Sequence, residues 1–344
     1  MQFEEVLKFL KEYGGPETAI MEVCGTHTAA IARSGIRSLL SGRLRLVSGP
    51  GCPVCVTVSS YIDRLCGLSL TPGHEVVTFG DMMRVPGSRE SLLDAQSRGG
   101  RVRMVYSPFE TLRAAKEYPD TTYVFAAVGF ETTAPIYALM IEEALREGIG
   151  NIRFLMSVKT MPPAIEWICS ESGGIAGMIA PGHVSAIIGS NPYRPLAQKY
   201  GMPFAVAGFG EKEVLAAIYA LVKLKGQGKV LNLYPSVVRA EGNLKALAQL
   251  ERYFEPGEAH WRGMGGIPGS GLYLRREFMR FDAGSRGLAD DAENTGCMCG
   301  KVLTGSSPAD CPLFGKTCTP DHPRGACMVS LEGACYSWYS YERK

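Results

Sequence analysis

Eight times between residues 19 and 207 a short apolar run ends in a loop rich in glycine or proline and is followed by a stretch long enough for a helix. The runs cover 19–23, 44–48, 75–79, 102–106, 123–128, 152–156, 177–180 and 204–207. Apolar runs this short and continuous fit strands buried on both faces, and each interval leaves room for the crossover that a parallel neighbour requires. The chain is therefore expected to be an α/β protein built of repeated βα units. Eight units would suffice for one closed barrel, but the loops of the first four differ in chemistry from those of the last four, and Pro119-Asp120 interrupts the series. The pattern predicts two similar open parallel sheets, one within residues 1–118 and one within 119–255, plus a small cysteine-rich domain in 256–344. It also predicts helices over 29–41 and 236–254, the second packing across both domains, and a linker over 255–271, where glycines accompany Pro256 and Pro268.

Charge and hydropathy exclude several functions. A net charge of +2 without a run of Lys or Arg leaves no electrostatic footprint for nucleic acid. The first residues carry Glu4, Glu5, Lys8 and Lys11 inside a helical apolar pattern, unlike an export signal, and no apolar stretch reaches membrane-spanning length. A cytoplasmic protein is expected.

For such a protein the 11 cysteines argue for metal ligands or redox thiols rather than a disulfide framework. Cys24 opens the loop Cys24-Gly25-Thr26-His27 after the first strand, and the second strand empties into Gly49-Pro50-Gly51-Cys52-Pro53-Val54-Cys55. If those strands are parallel neighbours, the three sulfurs lie on one carboxyl edge, where α/β proteins place their chemistry. A CxxC can close a disulfide, share a metal or divide attack and resolution between two thiols, and a helix directly after it would lower the first thiol's pKa. His27, three residues after Cys24, is placed to activate that thiol or to help bind a metal. Glu131 in Gly129-Phe130-Glu131-Thr132-Thr133 and His183 in Pro181-Gly182-His183 stand at later strand ends, where proton transfer and plain loop hydrogen bonding are equally compatible with the pattern. Cys66 and Cys169 fall at helical positions and read as small buried apolar residues.

The tail holds Cys297, Cys299, Cys311, Cys318, Cys327 and Cys335 in fewer than fifty residues, too short a segment to build a sizeable core without a cofactor. Four thiolates suit zinc or an iron–sulfur cluster, and the irregular spacing fits no paired zinc ribbon, so an iron–sulfur cluster or another metal is expected ahead of free thiols. A cubane needs four thiolates; Cys297, Cys311, Cys318 and Cys335 are assigned to it, and Cys299 and Cys327 to a redox pair beside it. Gly315-Lys316-Thr317 imitates the end of a phosphate loop, but Asp310 stands where the earlier glycine belongs.

Taken in order, Cys24-Gly25-Thr26-His27, the Gly49–Cys55 loop, Gly129-Phe130-Glu131-Thr132-Thr133-Ala134-Pro135, Pro181-Gly182-His183-Val184-Ser185 and the cysteine-rich end closely resemble HypD, a family of maturation factors of nickel–iron hydrogenases. The resemblance covers nearly the whole chain. It implies two similar α/β domains, a smaller 4Fe-4S domain, and a scaffold shared with a small HypC-type partner on which one iron receives two cyanides and one carbon monoxide. It further implies that cyanide comes from a HypE-type donor, that the finished group passes to the hydrogenase large subunit, and that Cys24, Cys52 and Cys55 bind the iron or control its redox state, with His27 nearby. The alternative is a general thiol–disulfide oxidoreductase fed by the cluster, which has no need of Cys24. A zinc-stabilised binding protein without redox chemistry is a third reading.

Overall fold

A computed structural model describes residues 3–171, 173–290 and 296–342. Its strands are β1 (Thr18–Glu22), β2 (Leu44–Ser48), β3 (His74–Thr78), β4 (Val102–Met104), β5 (Thr122–Gly129), β6 (Ile152–Lys159), β7 (Ile175–Ala180), β8 (Phe204–Val206), β9 (Val230–Asn232), β10 (Phe254–Trp261) and β11 (Gly265–Leu274). They form two sheets, of order β2-β1-β7-β8-β9 and β10-β11-β6-β5-β3-β4. All eight predicted strands are present, and every pairing among them is parallel. Strands β1 and β5 are buried almost along their whole length, which is why their sequences read as continuous apolar runs rather than as alternation.

The two sheets do not follow the expected division into 1–118 and 119–255. β1 and β2 share a sheet with β7, β8 and β9, whereas β3 and β4 share one with β5 and β6. The spacing between strands allows a crossover to a neighbour in either sheet, so local sequence leaves the grouping open. The chain crosses between sheets three times, through the helix Ser59–Ser69 after β2, the helix Met161–Glu171 after β6 and the helix Leu244–Tyr253 after β9. Tyr61, Ile62 and Leu65 of the first helix and Met161, Ile165 and Ile168 of the second belong to one buried cluster that includes Met21 of β1, Val124 of β5 and Met178 of β7. Each fully buried side chain of this kind contributes about 1.5–3 kcal/mol. This shared core therefore holds the sheets against each other along the first two crossovers.

Three local expectations give way to the structure. The helix expected over 29–41 runs from Gly25 to Arg33, and Gly35, at φ 61°, separates it from a short 3-10 turn, Ile36–Leu39. The long helix expected over 236–254 is confined to Leu244–Tyr253, because the Asn243 side chain caps it by accepting from the Ala246 N–H at 3.2 Å. The expected linker over 255–271 is instead the β10–β11 hairpin, which pairs antiparallel with β6 through Gly271 and Leu272. Its many glycines hide the alternation that buries Ala259, Trp261 and Ile267. Cys66 is buried in the helix Ser59–Ser69, and Cys169 is half-buried in Met161–Glu171. Among the described residues no helix is long and apolar enough to cross a membrane.

Candidate sulfur-rich site

Because β1 and β2 pair in parallel with Glu22 opposite Ser48, the loops that follow them leave the same carboxyl edge. The two loops are hydrogen-bonded directly: Gly49 N–H donates to the Glu22 carbonyl at 2.7 Å, and Gly25 N–H to the Gly51 carbonyl at 2.9 Å. The approach is so close that a Cβ on Gly51 would lie 2.2 Å from the Cys24 nitrogen. Cys24 and the CxxC are therefore packed into one unit. Cys52 and Cys55 form a disulfide with Cα atoms 5.2 Å apart. The next helix begins only at Ser59, so its N-terminus is not directly behind the CxxC as the sequence reading required.

Cys24 is buried at the start of the helix Gly25–Arg33. Burial pushes its thiol up to about 12, outweighing the downward pull of the His27 and Thr26 backbone N–H groups, while the nearby Glu22 and Glu332 carboxylates raise it further. The His27 ring turns elsewhere. Its Nε2 lies 2.9 Å from the Gly208 carbonyl after β8, so the neutral ring donates there, and burial lowers its pKa to about 4. The Phe209 ring stands 4.7 Å from His27 and 4.2 Å from His183, placing both histidines around one aromatic ring.

Three neighbours of these loops were missed by sequence reasoning. Glu22, buried in β1, accepts from Cys24 N–H at 3.0 Å and from the Thr28 hydroxyl at 2.5 Å, and burial raises its carboxyl to about 7. The only signal was an acidic residue in an apolar strand beside Cys24. Glu332 accepts from the Thr26 hydroxyl at 2.6 Å and thereby ties the tail to the Cys24 loop. Arg262, at the tip of the hairpin that had been read as a linker, donates from its backbone to Val56 at 2.9 Å and from its guanidinium to the carbonyls of Thr57 at 2.6 Å and Pro86 at 3.0 Å.

The tail cysteines converge. The sulfurs of Cys297 and Cys299 are 3.1 Å apart, and thiol hydrogen bonds continue the row from Cys299 to Cys327 and from Cys327 to Cys335. Hydrogen bonds from Cys297 and Cys327, with a smaller contribution from the Arg262 charge, pull the Cys299 thiol downward, while the same bonds push Cys297 and Cys327 upward. Cys297, Cys299, Cys311, Cys318 and Cys335 line one small cavity with Leu313, Phe314 and Met328; Cys327 is buried behind it. A Cβ on Gly325 would come within 2.4 Å of the Cys299 sulfur and 2.6 Å of Cys297, so glycine leaves the sulfurs their room. Cys297 and Cys299 also border a larger cavity of about 700 Å³ beside Arg262 and Lys301. Among the described residues no three or more His, Cys, Asp or Glu side chains form a ready-made site for a single metal ion.

Glu131, after β5, is buried as well. Its Oε1 accepts from the Met161 N–H at 2.8 Å, its Oε2 has no hydrogen-bond partner, and burial raises the carboxyl from 4.5 to about 7. A raised carboxyl contributes stability that is fully present below the unfolded pKa and is lost as pH rises through the folded one. Relative to wild type, Glu131→Gln should therefore gain up to about 3 kcal/mol as pH rises from the unfolded to the folded value. Denaturant melts of both proteins across that interval check this; a pH-independent difference would contradict it.

The profile described as "Hydrogenase formation hypA family" (HypD) matches residues 2–342. The hydrogenase maturation factor HypD of Azotobacter vinelandii is 45% identical over 340 residues, covering 94% of this chain and 89% of that protein. The HypD of Escherichia coli K12 is 41% identical over 336 residues, with the same two coverages. A putative hydrogenase expression/formation protein of Methanocaldococcus jannaschii is 41% identical over 330 residues, covering 94% and 92%. On a profile match spanning the described fold and identities of this size along it, the chain belongs to the HypD family of hydrogenase maturation factors.

Proposed function

We propose that this chain is the cytoplasmic scaffold on which the iron of a nickel–iron hydrogenase receives two cyanides and one carbon monoxide, in complex with a HypC-type partner. Cyanide arrives from a HypE-type donor, and the finished group passes on toward the hydrogenase large subunit. The observation that carries this reading is the union of the Cys24 loop with the Cys52–Cys55 loop, joined by the Gly25–Gly51 hydrogen bond. Thiolates are soft donors suited to iron bearing cyanide and carbonyl, and a buried setting shields such a group from water.

Within the chain, Cys24 supplies the iron-binding thiolate. Iron compensates the burial that keeps its proton on, because a bound cation favours the deprotonated sulfur. Reduction of Cys52–Cys55 by two electrons and two protons turns one disulfide into two thiols and so changes the number of donors beside Cys24. His27 and His183 act through Phe209 on the shape of the site. The tail residues fit a 4Fe-4S cluster: five thiols line one cavity, and Gly325 leaves the space a side chain would fill. Cys297, Cys311, Cys318 and Cys335 would hold it, leaving Cys299 and Cys327, which are in contact, as the accompanying pair. When bound, such a cluster supplies single electrons.

Infrared spectroscopy tests the scaffold reading. The anaerobic protein, purified with its HypC-type partner from cells containing the other maturation factors, should show cyanide and carbonyl stretching bands. Their absence from an iron-loaded complex would overturn it. The general oxidoreductase is not favoured, since family membership extends over the whole chain and that activity leaves Cys24 without a task.

A further inference from the structure

We propose that Glu131 contacts the cargo: its free carboxyl oxygen donates a hydrogen bond to the nitrogen of an iron-bound cyanide. This rests on the scaffold reading above and names a residue that selects one ligand of the iron.

The local fold fixes the carboxyl. Gly129 ends β5, and a Cβ there would strike Thr133 at 2.6 Å, so the turn into the next helix closes tightly. Phe130 stacks on Trp261 with ring centroids 5.9 Å apart, anchoring the residue before Glu131. On the other side, the Met161 N–H holds Oε1 at the start of the second crossover. Pro162 and Pro163 follow and have no N–H to offer, so Oε2 remains buried without a partner.

Two links connect the neighbourhood of Glu131 to the sulfur loops. Tyr193, whose hydroxyl lies 3.0 Å from that of Ser185, is within electrostatic reach of both Glu131 and Cys24. Thr57, two residues beyond the CxxC, has its hydroxyl 3.4 Å from that of Ser157, which pairs in register with Val128 of β5. Burial favours the neutral form of the Glu131 carboxyl against the weaker opposing pull of the Glu131 and Met161 backbone N–H groups, and no cation among the described residues acts on it. A neutral acid with one oxygen already accepting from Met161 has one unused O–H donor. A buried donor without an acceptor is costly, so the group is suited to a ligand that brings one. Metal-bound cyanide presents a strongly accepting nitrogen, whereas the oxygen of bound carbon monoxide accepts weakly. The donor therefore discriminates between the two.

The test compares wild type and Glu131→Gln, each purified anaerobically with the HypC-type partner, by infrared spectroscopy and iron content. Glutamine keeps an acceptor for Met161 and replaces the O–H by a weaker N–H donor. Equal iron loading with at least one cyanide band displaced, and the carbonyl band displaced less, is the expected result. Cyanide bands that coincide in the two proteins would overturn the inference while leaving the scaffold reading intact. A wild type without cyanide bands would overturn both. If Glu131→Gln does not accumulate, Glu131→Asp, which withdraws the carboxyl by one methylene, serves under the same criteria.

Discussion

Cys24→Ala is expected to abolish the infrared bands of iron-bound cyanide and carbonyl and, with them, hydrogenase maturation. The substitution removes one sulfur from a buried position at a helix start and leaves the backbone bonds between Gly25 and Gly51 in place. The thermal midpoint should therefore fall by no more than a few degrees, as for the loss of about 1 kcal/mol. Visible absorption of the proposed tail cluster should persist, because the thiols that line the tail cavity do not include Cys24. Iron content, infrared spectra and melting of the same preparation separate these effects. A variant that kept its cyanide and carbonyl bands would remove Cys24 from the proposed iron site.

Gly51→Ala is expected to be nearly as damaging while leaving every sulfur in the sequence. Its new methyl would meet the Cys24 nitrogen at 2.2 Å, the Cys24 Cα at 2.4 Å and the Val23 carbonyl carbon at 2.5 Å, all backbone atoms that no side-chain rotation can move aside. The two loops must then separate, at a cost of about 3 kcal/mol or more, which corresponds to about 4 °C or more in melting temperature for a chain of 344 residues. Iron loading should fall with it. Gly67→Ala is the matching control: Gly67 lies exposed in the helix Ser59–Ser69 with nothing within 4 Å of the added carbon, and the change should stabilise by up to about 1 kcal/mol. A Gly51→Ala protein that melts and loads iron like wild type would show that the close union of the two loops is unnecessary.

The two substitutions also mark how far the sequence could be read. Cys24 stood out because a cysteine follows a strand and precedes a helix, and the parallel pairing of β1 and β2 does bring it to the CxxC edge. The importance of Gly51 lay in a contact between loops separated by a strand and a helix, and the motif around it displayed only the glycine. Glu22 and Arg262 were out of reach for related reasons. Glu22 acts on Cys24 through a hydrogen bond that depends on how the chain turns after β1, and Arg262 arrives at the CxxC loop on a hairpin whose glycines resembled a linker.

By itself the sequence determined the alternation of strand and helix, the loops that carry the sulfurs and the collection of cysteines at the end. These follow from apolar periodicity and turn chemistry, which act over a few residues. Only the tertiary structure decided which strands share a sheet, that the chain crosses between sheets after the CxxC, at Met161 and after β9, and that Glu131 is left with an unpartnered buried oxygen. The physical reason is that crossovers of similar length reach either sheet. The choice between them is made by burial of side chains such as Tyr61 and Ile165 in one common core, a sum over contacts that no local stretch contains.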